Sequence, residues 1–223
     1  MRRRGVVLLA LGTAAYACPR ARDAESETLL RLSALHERVE ESARSRPGPP
    51  ADLREACAGN TAGLCGEVAR GRQPADAWAT AVAYARQGSA YELRSAGPDR
   101  RMRTADDLVI ASSRVDAQRR ELAGCYAGRR GGAPAPAAEV RLDTTRVGVA
   151  GYRFSMPSGY FGKWFPLGDF VLLEFNLIES YEPVLMRVEG DSLVPRDPRA
   201  AGGRIPTLNR APCGAETQAE ARR

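Results

Sequence analysis

The spacing of apolar residues near the start of the chain predicts a helix over residues 25–45. Its apolar positions recur at three- and four-residue steps and therefore share one face: Leu29, Leu32, Leu35 and Val39. Charged residues fill most of the other positions, so we expect one face to be buried. The Pro-Gly-Pro-Pro run at residues 47–50 ends this helix, and residues 51–58 can form a second, short helix.

Residues 81–84 and 91–95 have the composition of two β-strands. The segment between them has the length of a hairpin turn and contains Gly88. A loop that carries aspartates follows the second strand, and residues 108–110 return to apolar, β-type side chains. This order of strand, tight turn, strand, loop and strand predicts an antiparallel β meander.

The chain changes character beyond Cys125. A Gly- and Pro-rich run at residues 129–136 is typical of a linker. Short alternating segments with turn signals then predict the strands of a small antiparallel β sandwich or partial barrel: residues 140–142, 152–156, 170–177, 184–188 and 193–194.

These patterns together predict an α+β fold. An N-terminal amphipathic helix is expected to pack on a small antiparallel β meander, and a small all-β domain is expected to follow. The predicted division is a signal peptide at residues 1–17, a linker at 18–24, a helix-and-meander domain at 25–113, a linker at 114–138, a β domain at 139–213 and a disordered tail at 214–223.

The composition is that of a globular protein and argues against nucleic acid as a partner. The chain has 223 residues and a formal charge of +6, from 33 basic and 27 acidic residues. Lys163 is the only lysine, and the arginines are scattered among acidic residues. A nucleic-acid-binding surface needs clustered basic residues, which this pattern does not provide.

His36 is the only histidine. A metal site built from several histidines is therefore excluded, and Ser-His-Asp or Cys-His catalysis would have to use this one residue. Because His36 lies on or beside the apolar stripe of the predicted helix, we interpret it as a half-buried helix residue. The sequence also lacks the Gly-x-Ser-x-Gly, phosphate-loop and dinucleotide-binding motifs.

The N-terminus has the features of an export signal. Arginines at residues 2–4 precede an apolar stretch at residues 6–17, which is shorter than the about 20 residues that cross a membrane. Two cleavage sites compete. Ala15 and Ala17 suit ordinary signal peptidase, which would release a soluble periplasmic or secreted protein. Ala17-Cys18 also resembles a bacterial lipobox, which predicts a lipid anchor at Cys18 in the outer or inner membrane.

The cysteine count favours lipidation. Of the five cysteines, an acylated Cys18 leaves four, an even number that can form two disulfides in an oxidising compartment. Three pairings of these four are conceivable. We favour Cys57 with Cys65, which are close in sequence, and Cys125 with Cys213, which bracket the predicted β domain.

Three aspartates lie on the loop of the meander: Asp99, Asp106 and Asp107. Calcium takes about six to eight oxygen ligands from carboxylates and backbone carbonyls, and a loop of this kind can supply them. In the alternative interpretation, Asp99 stabilises a Gly-Pro-Asp turn and the other two are a solvated pair.

Three segments of this region match a known family in their order. They are Asp-Ala-Trp-Ala-Thr-Ala-Val-Ala-Tyr at residues 76–84, Tyr-Glu-Leu-Arg-Ser-Ala-Gly-Pro-Asp at 91–99 and Thr-Ala-Asp-Asp-Leu at 104–108. They resemble the C-terminal domain of the major pseudopilin of bacterial type II secretion, which has an Asp-Pro-Trp-Gly-x-Pro-Tyr-x-Tyr strand, a Ser-x-Gly-x-Asp turn and an acidic loop. The resemblance covers residues 25–112.

The resemblance implies a calcium site in the acidic loop. Carried over by position, the ligands would be the carboxylates of Asp99, Asp106 and Asp107 and the backbone carbonyls of Leu93 and Ser95. It also implies that the preceding helix takes the place of the family's long helix.

The chain departs from the pseudopilin pattern at specific positions. Ala79 and Arg100 stand where the family has glycine, and Arg101 and Arg103 add positive charge to the loop. Pseudopilins assemble through an N-terminal hydrophobic helix that carries a glutamate, but here Ala10 stands at that position and the apolar run is too short. The resemblance therefore extends to the head domain and not to assembly of a pilus.

The sequence features are compatible with three functions. The first is an exported, non-enzymatic envelope protein that meets an unidentified protein partner and touches the membrane only through a lipid anchor at Cys18. The second is an accessory component of a type II secretion or type IV pilus-like machine. The third, a hydrolase that uses paired carboxylates of the acidic loop, has the least support, because adjacent carboxylates in an arginine-rich loop show no sign of a raised pKa or a cleft.

Overall fold

The computed structural model describes residues 23–128, 139–148, 150–157, 159, 161–175, 183–197 and 205–213. The predicted signal peptide, Cys18, the Gly- and Pro-rich run and the C-terminal tail lie outside these residues. None of the described helices is long and apolar enough to cross a membrane.

The described chain begins with helices and a small antiparallel sheet. The helices are α1 (Ala24–Arg44), α2 (Leu53–Ala56) and α3 (Gly63–Ala69). The sheet has the order β1-β2-β3, with β1 (Ala83–Gln87), β2 (Ala90–Ser95) and β3 (Leu108–Ala111). A fourth helix, α4 (Ser112–Leu122), follows β3 without a break.

The remaining strands of the described chain close into an eight-stranded antiparallel barrel. In chain order they are β4 (Gly124–Gly128), β5 (Glu139–Val147), β6 (Gly151–Ser155), β7 (Phe161–Leu167), β8 (Phe170–Phe175), β9 (Val184–Glu189), β10 (Ser192–Pro195) and β11 (Leu208–Ala211). Each strand pairs with the next one, and β11 pairs with β4 to close the barrel. This is an up-and-down arrangement, which leaves no open edge.

Apolar side chains fill the inside of the barrel. Tyr152 pairs with Trp164, Trp164 with Leu173, and Leu173 with Val184, so these four share one face of neighbouring strands. All four are at most 1% exposed. Gly162 lies on the same face, where a Cβ atom would lie 2.7 Å from the Phe154 ring and 2.0 Å from the carbonyl oxygen of Glu174. The interior is thus a packed core.

The outer face of part of the barrel is also buried. Phe165 pairs with Leu172, and Leu172 with Leu185, on the side opposite to Trp164. These three are 1%, 0% and 7% exposed because α1 and α4 contact the barrel at β7. One hydrophobic core therefore runs from α1 through the small sheet into the barrel.

Helix α1 is held by its cap and by ionic contacts with the barrel. The Asp23 side chain accepts a hydrogen bond from the Ser26 N–H at 2.9 Å, which satisfies one of the free N–H groups of the first turn. The predicted apolar stripe faces inward, and each of its four residues is at most 2% exposed. On the barrel side, Lys163 Nζ lies 3.0 Å from Glu37 Oε1, which fixes α1 against β7.

Helix α4 closes the end of the barrel at which β4 begins. Its Gln118 side chain donates to the carbonyl of Gly168 in the turn between β7 and β8. The Arg119 guanidinium lies 5.0 Å from the centre of the Tyr152 ring. Arg210 of β11 donates to the carbonyls at the end of α4, at 2.9 and 2.8 Å.

The predicted α+β class is wrong. Most of the regular structure is β, and its largest unit is the closed barrel rather than a helix on a meander followed by a small β domain. The segment 114–138, predicted as a linker, contains most of α4 and the barrel strand β4 in its described part. The periodicity of short segments showed strands but not their closure, because closure depends on pairing between β4 and β11.

Both predicted disulfides are confirmed. Cys57 is bonded to Cys65, and Cys125 to Cys213. The first bond links α2 to α3, and the second joins the start of β4 to the residues after β11. Disulfides of this kind are typical of proteins in an oxidising compartment.

Candidate functional site

The predicted acidic loop joins β2 to β3, and its carboxylates are bonded within the loop. The backbone N–H of Asp99 donates to Asp106 Oδ2 at 3.1 Å, and the N–H of Arg101 donates to Asp99 Oδ1 at 2.7 Å. The Thr104 hydroxyl donates to Asp106 Oδ1 at 2.6 Å. The bond from the Thr104 hydroxyl, and after it the bond from the Asp99 N–H, lower the pKa of Asp106.

Asp107 is paired with an arginine of β2. Arg94 Nη1 lies 2.5 Å from Asp107 Oδ2, and the N–H of Arg103 donates to the same oxygen at 2.8 Å. Burial works to raise the pKa of Asp107, but the bonds from Arg94 and from the loop outweigh it and lower the pKa. Arg94 also contacts Glu92, at 2.8 Å, and so bridges two acidic side chains.

The contacts of the loop carboxylates bear on the predicted calcium site. The carboxylate oxygens of the loop accept hydrogen bonds from N–H groups, the Thr104 hydroxyl and Arg94. Within the described residues, no group of three or more His, Cys, Asp or Glu side chains lies close enough to hold a metal ion. Leu93 is fully buried in β2, and the Ser95 hydroxyl donates to Asp76 Oδ2 at 2.6 Å. The calcium assignment to Asp99, Asp106, Asp107, Leu93 and Ser95 stays a prediction.

Two positions where the resembled family has glycine adopt the left-handed conformation that glycine favours. Ala79 has a φ of 62° and Arg100 a φ of 59°. Among the described residues, Arg103 is the only other non-glycine residue with a positive φ, at 67°. Ala79 precedes β1, and Arg100 and Arg103 lie in the loop between β2 and β3.

Asp76 connects the first of these turns to the end of β2. Its Oδ1 accepts hydrogen bonds from the N–H groups of Trp78 and Thr80, at 2.9 and 2.8 Å. Its Oδ2 accepts from the Ser95 hydroxyl, as described above. Asp76 is 2% exposed, so these bonds replace the water that a buried carboxylate loses.

A second cluster lies where α1 meets β2. The Tyr91 hydroxyl donates to Glu40 Oε1 at 2.9 Å and lies 2.5 Å from His36 Nδ1. His36 is 2% exposed, so it is fully rather than half buried. Burial, together with the charge of Arg146, lowers the pKa of His36 to about 4, and the ring is neutral at pH 7. Burial and the charge of Glu40 raise the pKa of Tyr91.

These contacts assign the tautomer of His36. The Tyr91 hydroxyl has one proton, and the Glu40 carboxylate can only accept. Because that proton lies toward Glu40, the bond between Tyr91 and His36 requires a proton on Nδ1. Nε2 is then an acceptor, and none of the described residues donates to it.

His36 lines a cleft of about 300 Å³ between α1, the start of α4 and the end of the barrel. The polar part of the lining comes from α1, α4, β5, β6 and the turn before β2: Glu40, Ser89, Ser112, Ser113, Asp116, Arg146 and Tyr152. No side chain caps the start of α4, so the N–H groups of its first turn lack that partner. Arg146 Nη2 lies 3.5 Å from Glu40 Oε2 across the cleft.

A larger cleft of about 560 Å³ lies between α2, α3 and β1. Its lining includes the apolar side chains of Leu53, Val68 and Val82. The Tyr84 hydroxyl at its side already donates to the carbonyl of Pro50 at 2.6 Å. A binding site for a small molecule is expected to combine a cleft with convergent polar groups and a shifted pKa. Burial also raises the pKa of Tyr84 at the larger cleft, so the smaller cleft is distinguished by the buried His36 in its polar lining.

Sequence reasoning singled out His36 but missed its partners. Tyr91, Glu40 and Arg146 come from β2, α1 and β5, and no local motif joins them. The one available signal was the position of Glu40 one turn after His36 on the same helix, which places both on neighbouring surface.

Comparison of the chain with known protein families, with curated proteins and with solved structures finds no match.

Proposed function

We propose that this chain is an exported, non-enzymatic protein of the bacterial cell envelope, anchored by lipid at Cys18. The observation that carries the proposal is the pairing of the cysteines. The two disulfides use four of the five cysteines, so Cys18 is left without a cysteine partner in the chain. It directly follows the Ala15-Tyr16-Ala17 segment, where a lipobox would place the acylated residue.

In this proposal, a head domain of the pseudopilin kind is one part of the protein. Ala79 and Arg100 keep the left-handed conformation at the positions where that family has glycine. This observation also favours the second candidate, an accessory component of a type II secretion or pilus-like machine. In either case the function is to meet another envelope protein rather than to catalyse a reaction.

Metabolic labelling with palmitate tests the anchor. We expect the wild-type chain to incorporate label and to fractionate with membranes, and Cys18→Ala to do neither. Cys18→Ser is a second variant that lacks the thiol but nearly keeps the size of the side chain, and we expect it to behave like Cys18→Ala. Label that persists in both variants, or wild-type protein found only in the soluble periplasm, would contradict the proposal.

Affinity capture from cross-linked envelopes separates the two candidates. Recovery of secretion or pilus subunits with the wild-type chain would favour the accessory role. Their loss with Asp76→Ala, which removes the bonds that hold the 76–80 turn, would assign the contact to the head domain. Recovery of other envelope proteins in place of such subunits would favour the first function.

A further inference from the structure

The charged groups of the cleft beside His36 are paired with one another. Glu40 is paired with Arg146, and Asp116 Oδ1 lies 3.3 Å from Arg119 Nη1 on the same helix. His36 itself is neutral at pH 7. An ionic ligand would have to displace one of these pairs and leave a charge without its partner. A neutral ligand meets no such cost.

The lining presents both acceptors and donors of hydrogen bonds. His36 lines the cleft, and its Nε2 is an acceptor that lacks a donor among the described residues. On the opposite side, α4 offers the uncapped N–H groups of its first turn, the hydroxyl of Ser113 and the hydroxyl proton of Ser112, whose Oγ already accepts from the Tyr91 N–H at 2.9 Å. A ligand that donates to His36 Nε2 and accepts from the start of α4 would therefore match both sets of groups.

A hydroxyl group does both, because it has one donor proton and two acceptor lone pairs. We propose that this cleft binds a neutral polyhydroxylated molecule of monosaccharide size, with one hydroxyl donating to His36 Nε2 and others accepting from the start of α4. The volume of about 300 Å³ lies at the small end of ligand sites. A free sugar and a terminal sugar residue of an envelope glycan share this chemistry.

Isothermal titration of the purified full chain tests the proposal. The probes are glucose, galactose and N-acetylglucosamine, each with its methyl glycoside, and acetate and ethylammonium as small charged compounds. We expect saturable binding of at least one neutral sugar and none of the charged compounds. Binding of the methyl glycoside as well would assign a glycan residue, and binding of only the reducing sugar would assign a free sugar. No sugar binding, or binding of only the charged compounds, overturns the proposal.

Substitutions on α4 locate the site. Ser113→Trp places a large side chain in the cleft, and we expect it to abolish sugar binding. Arg114→Trp is the matched control, since Arg114 is exposed on the same turn and does not line the cleft.

His36→Gln should weaken binding by about five- to tenfold, the effect of one lost hydrogen bond. Both α4 positions are exposed, so Ser113→Trp decides the question even where His36→Gln impairs folding. Unchanged affinity in Ser113→Trp overturns the proposal.

Discussion

The Tyr91 hydroxyl and the Glu40 carboxylate form a hydrogen bond of 2.9 Å between β2 and α1. This bond directs the single hydroxyl proton away from His36 and so determines which histidine nitrogen carries a proton. It also ties the small sheet to the helix that packs on the barrel. One polar contact thus links β2 of the small sheet to α1 and determines the hydrogen-bonding state of His36 at the candidate site.

We expect the free energy of unfolding to fall as the pH is lowered from 6.5 to about 4. Burial lowers the pKa of His36 from its ordinary value of 6.5 to about 4 in the folded chain. Between these values the unfolded chain binds more protons, so acid favours unfolding. The contribution of His36 to the free energy of unfolding is fully present above pH 6.5. About 3 kcal/mol of it is lost as the pH falls toward 4. Urea unfolding at a series of pH values measures it.

His36→Gln is the variant for this experiment, since its amide can still donate to Tyr91. Carboxylates also titrate in this range, so the comparison is between the wild-type and variant curves. We expect the variant to lose less stability across the window. Parallel curves would show that His36 does not titrate as the structure requires.

Glycine at the left-handed positions should stabilise the protein. The left-handed conformation costs an ordinary residue roughly 1–2 kcal/mol, and glycine avoids this cost but loses about 0.5–1 kcal/mol of backbone entropy. We therefore expect Ala79→Gly and Arg100→Gly each to raise the free energy of unfolding by up to about 1 kcal/mol. Ala85→Gly, at an exposed strand position without a positive φ, is the control and should lower it. Equal losses at all three positions would contradict the backbone conformation.

The response to calcium should depend on Arg94. Because Arg94 occupies an Asp107 oxygen, a calcium ion would have to displace it. We expect Arg94→Gln to show a larger rise in melting temperature with calcium than the wild type, because ligand at a hundredfold excess over Kd adds about 2.7 kcal/mol. Arg86→Gln, on β1, is the control for loss of one positive charge. No calcium response in either the wild type or Arg94→Gln would withdraw the loop as a calcium site.

The two disulfides should differ in their effect on stability. Cys125 and Cys213 are 88 residues apart in sequence, and Cys57 and Cys65 are 8 apart. In the chain-entropy model, the longer loop is worth about 4–5 kcal/mol and the shorter about 2–3 kcal/mol. We expect the Cys125→Ser, Cys213→Ser double variant to lose more stability toward urea than the Cys57→Ser, Cys65→Ser double variant. The reverse order would show that strain or residual structure dominates the loop entropy.

Local patterns in the sequence determined much of the secondary structure. The helix predicted at residues 25–45 corresponds to α1 (Ala24–Arg44), and the segment at 170–177 contains β8 (Phe170–Phe175). These elements bury one face, or carry a continuous apolar run, and such patterns are visible in the sequence. The disulfide pairing was also predicted, since the cysteines lie close together or bracket the β segments.

Other elements left no such pattern. β7 contains Gly162 and Pro166 and does not alternate, because Trp164 faces the barrel core while Phe165 is buried under the helices. α4 is mostly polar, and only two of its apolar residues, Val115 and Leu122, are buried where it closes the end of the barrel. Two residues are too few to form a visible apolar stripe in the sequence. In both elements, which residues are buried depends on contacts with distant parts of the chain.

The sequence by itself predicted the first helix and favoured the observed cysteine pairs, since the helix depends on residues close in the chain and the pairs on the positions of the cysteines. Only the tertiary structure decided that the strands close into a barrel and that Arg94 forms an ion pair with Asp107. It also decided that the Tyr91 hydroxyl bonds to both His36 and Glu40. These contacts join residues far apart in the chain, from Glu40 and Arg146 at the cleft to β4 and β11 at the barrel seam. Their geometry depends on the packing of one shared core, which no local pattern encodes.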